Sequence, residues 1–412
     1  MAKITETSPL APPSFPALPA VAGFRFATLE AGIRYKGRRD LTLIEAAPGT
    51  SVAAVFTKSA TAGHPVLWGR RILPHGKARA VIINAGNANV FRGAEGDAAV
   101  KAEAEMLAAA LDCAPEEIYV ASTGVIGERL PVEKIIDAIP ALIPALAVDG
   151  IAAAASAIMT TDTFPKGALA TAELGGKTVT IAGIAKGSGM IAPDMATMLA
   201  FVVTDADLPP AILQPLLLEG SDKSFNATTV DGDTSTSDTL LLLASGKAGN
   251  TPVTGIEDPA LAAFKAALDH VLLDLALQVV RDGEGAQKLI QISVSGALDD
   301  RAARRLGLVV ANSPLVKTAI AGGDANWGRI IMAVGRAGET IELARLGVAF
   351  GGTPVARNGG AVPDLDEAPV AAHLAGQKID IDIEVGTGPG KATVWTCDLT
   401  HGYIDINADY RS

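Results

Sequence analysis

Short apolar runs bounded by Gly, Pro and Asp recur along the chain, and this pattern limits its possible folds more than any other feature. Such runs are typical of strands. In residues 379–385, IDIDIEV, apolar and acidic residues alternate, which predicts one buried and one solvated face. Helical patterns lie between the runs, one predicted to be capped by Asp97 and one opened by Asp258-Pro259 and reaching Leu277. The sequence therefore predicts a mixed α/β fold. The predicted strands begin at Ala80, Glu117, Thr178, Leu289, Ile379 and Ala392.

The composition argues for a metabolic enzyme with small-molecule partners. The net charge is -11 and no cluster of Lys and Arg is present, which disfavours nucleic-acid binding. The two cysteines, Cys113 and Cys397, are too few for a disulfide framework, so a reducing compartment is expected. The start lacks a secretory pattern, and the most apolar region, residues 135–159, is interrupted by Asp, Pro and Gly. These features predict a soluble, cytoplasmic protein with no membrane partner.

Residues 186–201, KGSGMIAPDMATMLAF, carry the chemistry that most distinguishes this chain. Gly187 and Gly189 allow a sharp turn, and Pro193 stiffens the approach to Ala196-Thr197. Attack of a threonine hydroxyl on the preceding carbonyl, followed by hydrolysis, frees a chain start whose own α-amine acts as base, with a pKa of about 7.7–8.0. Taken alone, the residues fit an ordinary glycine-rich turn before an apolar strand better than they fit self-cleavage.

This segment resembles the cleavage and nucleophile motif of the ornithine acetyltransferase family, also called the bifunctional glutamate N-acetyltransferases. The resemblance implies an α/β N-terminal-nucleophile-like layered sandwich made of two interwoven fragments, 1–196 and 197–412, which assemble as a heterotetramer with two copies of each. Further stretches resemble the family in order along the chain: FTKSATAGHPV, INAGNAN, ASTGVIG, IMTTDTFPK, SFNATTVDGDTSTSDT, VRDGEGAQK, SPLVKTAIAGGDANWGRI and DINADYRS.

The resemblance also implies the catalytic roles. Cleavage separates Ala196 from Thr197, and Thr197 becomes the nucleophile that takes acetyl from N-acetylornithine as an ester and passes it to glutamate in a ping-pong cycle. Thr123 and Gly124 correspond to the oxyanion hole, whose donors stabilise the charge of the tetrahedral intermediate. An ordinary turn at the end of a strand is the alternative interpretation of the Thr123-Gly124 pair.

Further residues correspond to substrate-binding positions of the family, as does Thr197 itself. Lys186 is expected to pair with the substrate α-carboxylate and Thr160 to donate a hydrogen bond to it. Glu284 is expected to bind the ornithine ammonium, and Asn407 and Ser412 to close the site from the C-terminus. Serine replaces the family's usual threonine at the last position, which retains the hydroxyl and loses a methyl contact. Solvated or turn residues are the structural alternatives.

No metal and no cofactor is predicted. The acidic run at residues 231–238 lacks the spacing of an EF-hand calcium loop, and the five histidines show no metal or triad spacing. Acetyl-CoA is a possible co-substrate, and the sequence leaves its use open. Two alternatives stay open: a hydrolase of the same mechanistic class, which would release acetate, and an uncleaved small-molecule-binding protein, which would run as one chain on a denaturing gel.

Overall fold

The computed structural model describes residues 6–192 and 198–408, and these divide into two compact units. The larger unit contains the described residues from 12 to 279, except 227–232. The smaller unit contains residues 6–11, 227–232 and 280–408.

The larger unit holds two sheets and their covering helices. Its strands are β1 Phe24–Leu29, β2 Leu41–Ala46, β3 Ser51–Phe56, β4 Ala80–Asn87, β5 Ile118–Val125, β6 Lys166–Leu174, β7 Lys177–Lys186, β8 Leu199–Thr204 and β9 Thr239–Ala244. Its helices are α1 His64–Ile72, α2 Gly93–Leu111, α3 Val132–Leu142, α4 Ile151–Ala157, α5 Pro210–Lys223 and α6 Leu261–Arg281. One sheet has the order β1-β2-β4-β5, and the other β3-β9-β8-β7-β6.

The five-stranded sheet contains strands from both sides of the predicted cleavage point. β7 precedes residues 196/197 and pairs antiparallel with β8, which follows them, and β8 pairs parallel with β9. A cut there leaves strands of both fragments side by side in one sheet. Helix α6 packs closely on β7, because a Cβ at Gly183 would lie 2.8 Å from Leu275 Cδ1. The missing side chain at Gly183 leaves room for Leu275.

The smaller unit has one mixed sheet. Its elements are β10 Leu289–Ala297, α7 Asp300–Ala311, α8 Pro314–Ala321, α9 Trp327–Gly335, β11 Gly347–Phe350, β12 Thr353–Arg357, β13 Gly360–Ala361, α10 Ala368–Leu374, β14 Lys378–Glu384, β15 Gly390–Cys397 and α11 His401–Asn407. The strand order is β13-β12-β11-β14-β10-β15. On β14 the isoleucines 379, 381 and 383 are buried while Asp382 and Glu384 are exposed, which confirms the predicted alternation.

The predicted mixed α/β fold with several sheets is confirmed, but one predicted cap is wrong. Helix α2 begins at Gly93, four residues before Asp97, and Arg92 is its N-cap. Asp97 lies inside the helix, where its Oδ1 is 2.7 Å from His64 Nδ1. A tertiary partner therefore uses the carboxylate that the sequence pattern had assigned to a local cap.

The second predicted helix has shifted ends. Helix α6 begins three residues after Asp258 and extends beyond Leu277 to Arg281. Among the described residues, no helix is both long and apolar enough to cross a membrane.

Candidate active site

The predicted oxyanion residues lie at the carboxyl end of β5. β5 runs parallel to β4, and Gly124 is the Cα partner of Gly86. Gly124 has a φ of +133°, and a Cβ there would lie 2.2 Å from the Gly86 carbonyl carbon, so only glycine fits. Gly124 is half-buried in a strand that is otherwise buried, and Thr123 beside it is buried. Gly124 is thus more exposed than the other residues of this strand.

Lys186 is the last residue of β7 and is 2% exposed. Its Nζ donates a hydrogen bond to Thr123 Oγ1 at 3.2 Å. The fold therefore brings together two predicted site residues that are 63 positions apart in the sequence. Lys186 is also the Cα partner of Leu199, the first residue of β8. Thr197, two positions before Leu199, and Ala196 lie outside the described residues.

Thr160 lies in the segment before β6, where a buried carboxylate holds its backbone. The Thr160 N–H donates to Asp162 Oδ2 at 2.9 Å. The other oxygen, Asp162 Oδ1, accepts from the Gly187 N–H at 2.6 Å and from Lys166 Nζ at 2.6 Å. The side chains of Asp162 and Lys166 are completely buried. Neither residue was singled out from the sequence, although both stand in the IMTTDTFPK stretch.

The charges around Asp162 set its protonation. Burial raises the pKa of its carboxyl, but the ammonium groups of Lys166 and Lys186 and the Gly187 N–H outweigh burial and hold the pKa below its ordinary value. Asp162 is therefore ionised at neutral pH. It carries the negative charge that makes two lysines tolerable in a buried site.

A second buried carboxyl fixes the residue that follows Thr197. Asp238 Oδ1 accepts from the Met198 N–H at 3.0 Å, and the Thr239 N–H donates to the Met198 carbonyl at 3.2 Å. Burial raises the pKa of Asp238 well above its ordinary range, although the Met198 N–H, the Ser235 hydroxyl and Lys186 lower it. The neutral form of Asp238 is therefore favoured. The sequence showed it only as the end of the acidic run 231–238, which also closes the family stretch ending in TSTSDT.

Two predicted substrate-binding residues contact each other in the smaller unit. Asn407 Nδ2, at the end of α11, donates to Glu284 Oε2 at 2.7 Å. Glu284 is buried at 8% exposure, while Asn407 is exposed. The C-terminal helix is thus tied to the loop after α6. Ser412 lies outside the described residues. Over residues 6–192 and 198–408, no group of three or more His, Cys, Asp or Glu could hold a metal ion.

Comparison with known proteins identifies the chain as an enzyme, an acyltransferase of arginine biosynthesis. Residues 25–412 match the ArgJ family model. The chain belongs to the ArgJ family.

Known proteins and solved structures resemble the chain to different extents. The arginine biosynthesis bifunctional protein ArgJ of Gluconobacter oxydans (strain 621H) is 57% identical over 412 residues, covering 100% of this chain and 97% of that protein. A crystal structure of the protein of the same name from Bacillus halodurans is 41% identical, with a TM-score of 0.49, covering 50% of this chain and 97% of that one. An aminopeptidase from Ochrobactrum anthropi, described as a variant of the Ntn hydrolase fold, is 15% identical with a TM-score of 0.38, covering 66% of this chain and 89% of that one.

Proposed function

We propose that this enzyme transfers acetyl from N-acetylornithine to glutamate through an ester on Thr197, after the chain has cleaved its own Ala196–Thr197 bond. One observation supports the proposal most strongly: the buried Lys186 donates to Thr123 at 3.2 Å, at the end of the strand that leads into the segment containing Thr197. A buried cation beside an oxyanion residue suits an anionic substrate and a tetrahedral intermediate. Membership of the ArgJ family supports the same reaction.

Cleavage begins when Thr197 Oγ attacks the Ala196 carbonyl carbon and the peptide C–N bond breaks, which leaves an ester and a free α-amine. Water then hydrolyses the ester, so that Ala196 ends in a carboxylate and Thr197 recovers its hydroxyl. The new α-amine sits on the same residue as the hydroxyl, and its ordinary pKa of about 7.7–8.0 suits a general base near neutral pH. The predicted fragments are residues 1–196 and 197–412.

Transfer then takes two steps on the same hydroxyl. Thr197 Oγ attacks the acetyl carbonyl of N-acetylornithine, the C–N bond breaks, and ornithine leaves with the proton on its α-amine. The glutamate α-amine next attacks the ester, N-acetylglutamate leaves, and the Thr197 hydroxyl regains a proton. In both steps the half-buried Gly124 backbone and Thr123 donate to the oxygen that becomes negative.

Substrate recognition follows from what the two amino acids share. Both carry an α-carboxylate, for which Lys186 supplies a buried positive charge and Thr160 a hydrogen bond. Glu284, held by Asn407, is the proposed partner of the ornithine side-chain ammonium. Thr197 and Ser412 complete the proposed set. The enzyme needs no metal or cofactor for this chemistry, and acetyl-CoA is a second proposed donor. We also propose two copies of each fragment per assembly and a cytoplasmic location.

Intact-mass analysis and a transfer assay test the proposal together. Purified enzyme should yield the two fragments and, with N-acetylornithine alone, a C-terminal fragment heavier by one acetyl group. Thr197→Ala should remain one chain without transfer, whereas Thr178→Ala, the same change at an exposed site on β7, should behave as wild type. Full activity in an uncleaved chain would refute the proposal. Release of acetate faster than acetylation of glutamate would favour the hydrolase alternative.

A further inference from the structure

Two segments that carry proposed site residues meet at a single buried carboxylate, Asp162. Its two oxygens accept from the Thr160 N–H, the Gly187 N–H and Lys166 Nζ, at 2.9, 2.6 and 2.6 Å. Gly187 directly follows Lys186, so one hydrogen bond fixes the backbone next to the proposed carboxylate-binding lysine. A carboxylate with both oxygens engaged by charged or backbone donors is a rigid anchor.

A second contact joins the same two segments. Thr161 Oγ1 and Ser188 Oγ lie 2.6 Å apart, and Ser188 is buried. Residues 160–162 are thus fastened to residues 187–188 by one hydrogen bond from a backbone N–H to a side chain and one between two side chains. The chain between them folds back through β6 and β7, which pair along their length.

The charges of the cluster explain why it has two lysines. Lys166 is completely buried, and its Nζ contacts Asp162 and the Phe164 carbonyl, the latter at 3.3 Å. Asp162 and Lys166 carry opposite charges and neutralise each other, whereas the charge of Lys186 at the end of β7 adds to a neutral pair. The cluster of these three residues therefore has a net charge of +1, which suits one bound carboxylate.

We propose that Asp162 is a positioning residue for substrate binding: with Lys166 as its counter-ion, it holds Thr160 and Lys186 in the arrangement that receives the substrate α-carboxylate. This inference rests on the proposed function, because it takes Thr160 and Lys186 as substrate-binding residues. It assigns Asp162 a role through its neighbours and no contact with the reacting atoms.

The experiment separates a positioning role from a merely structural one. Asp162→Asn leaves Lys166 buried without its counter-charge, so lower thermal stability is expected. The double variant Asp162→Asn/Lys166→Met removes both charges and should recover most of that stability. An asparagine has one acceptor oxygen where aspartate has two, so Thr160 or Gly187 still loses its partner. The double variant should therefore keep a KM for N-acetylornithine and for glutamate raised roughly tenfold or more, with a smaller change in kcat.

A matched control is available in the same unit. Glu219 and Lys223 on α5 have the same order and spacing, with both side chains about half exposed, and their Oε1–Nζ distance is 2.7 Å. Glu219→Gln/Lys223→Met should leave both KM values unchanged, because an exposed pair is solvated with or without its charges.

Discrimination for the α-carboxylate supplies the readout that stability alone would not change. Wild type should acetylate glutamate at least about tenfold faster, in kcat/KM, than its α-carboxamide analogue, and the double variant should lose most of that preference. A double variant with restored stability, unchanged KM and unchanged preference would overturn the inference while leaving the proposed function intact. Wild type that moves no acetyl to glutamate would instead overturn the proposed function.

Discussion

Glu103 makes the stability of this enzyme depend on pH in a direction opposite to that of most carboxylates. It lies on the inward face of α2, is 1% exposed, and its Oε1 has no hydrogen-bond partner among the described residues. Burial raises the pKa of its carboxyl from 4.5 to about 8. The neutral acid is therefore the form that the folded protein accepts.

The size of the effect follows from linkage. The pKa of Glu103 is higher in the folded state than in the unfolded state. Glu103 therefore does not change the free energy of unfolding below pH 4.5. It lowers that free energy as pH rises, and its effect levels off above about pH 8. Each pH unit between these values costs about 1.4 kcal/mol. The cost of Glu103 at pH 7 is therefore about 3 kcal/mol, and it grows by a similar amount between pH 5.5 and 7.5.

Glu103→Gln removes the ionisation and nearly preserves the shape. Burying the glutamine amide also lowers the free energy of unfolding, but by the same amount at every pH. The change of that free energy with pH is therefore the quantity to measure. Urea unfolding followed by circular dichroism at pH 5.5, 6.5 and 7.5 should show the variant gaining about 3 kcal/mol relative to wild type across the series. Samples are matched for cleavage state by mass spectrometry.

The control is Glu105→Gln, on the same helix with a side chain 54% exposed, and its stability should run parallel to wild type. Other groups that titrate in this range are common to all three proteins, so their contributions cancel in the comparison. Parallel curves for wild type and Glu103→Gln over the whole pH series would refute the reasoning.

Two further predictions concern the site. Gly124→Ala should lower kcat for acetyl transfer by about 100-fold, because the new Cβ would displace the end of the strand from Gly86. Gly127 also has a positive φ, but a Cβ there would contact no other atom, so Gly127→Ala should lower only the stability. Stopped assays with both variants check this, and equal rates for the two would contradict it. Asn407→Ala should raise KM for N-acetylornithine about threefold or more, with glutamate less affected, because Glu284 loses a 2.7 Å hydrogen bond. Steady-state kinetics with each substrate check this, and equal shifts for both would count against Glu284 as the ammonium partner.

The elements that the sequence predicted well are those whose pattern is local. The alternation in residues 379–385 identifies β14 because each isoleucine faces the same side whatever its partners are. Family motifs predicted site roles for Thr123 and Lys186, which stay predictions, and the fold brings the two side chains within hydrogen-bonding distance. Thr123 lies in the four-stranded sheet and Lys186 in the five-stranded sheet, so their contact depends on how the two sheets pack, which no local pattern contains.

Asp162 and Lys166 show why other parts of the site could not be predicted. An acidic residue followed four positions later by lysine is the usual pattern of a solvated helix face, and Glu219 with Lys223 on α5 is such a pair. The same spacing in residues 162–166 leads into a strand and is completely buried. Spacing alone does not distinguish the two, because burial is decided by elements distant in sequence.

Two buried acids lie near Lys186, and the pKa of Asp162 is lowered while the pKa of Asp238 is raised. The difference lies in the positively charged groups beside each carboxyl. Asp162 has Lys166 beside it as well as Lys186, and charge attraction outweighs burial. Asp238 has only Lys186 among the lysines that lower its pKa, and burial dominates. One acid is therefore ionised and the other tends to be neutral, so the described side chains of Asp162, Asp238, Lys166 and Lys186 together keep a net positive charge. If both acids were ionised, these four side chains would have no net charge, and their attraction for a substrate carboxylate would be weaker.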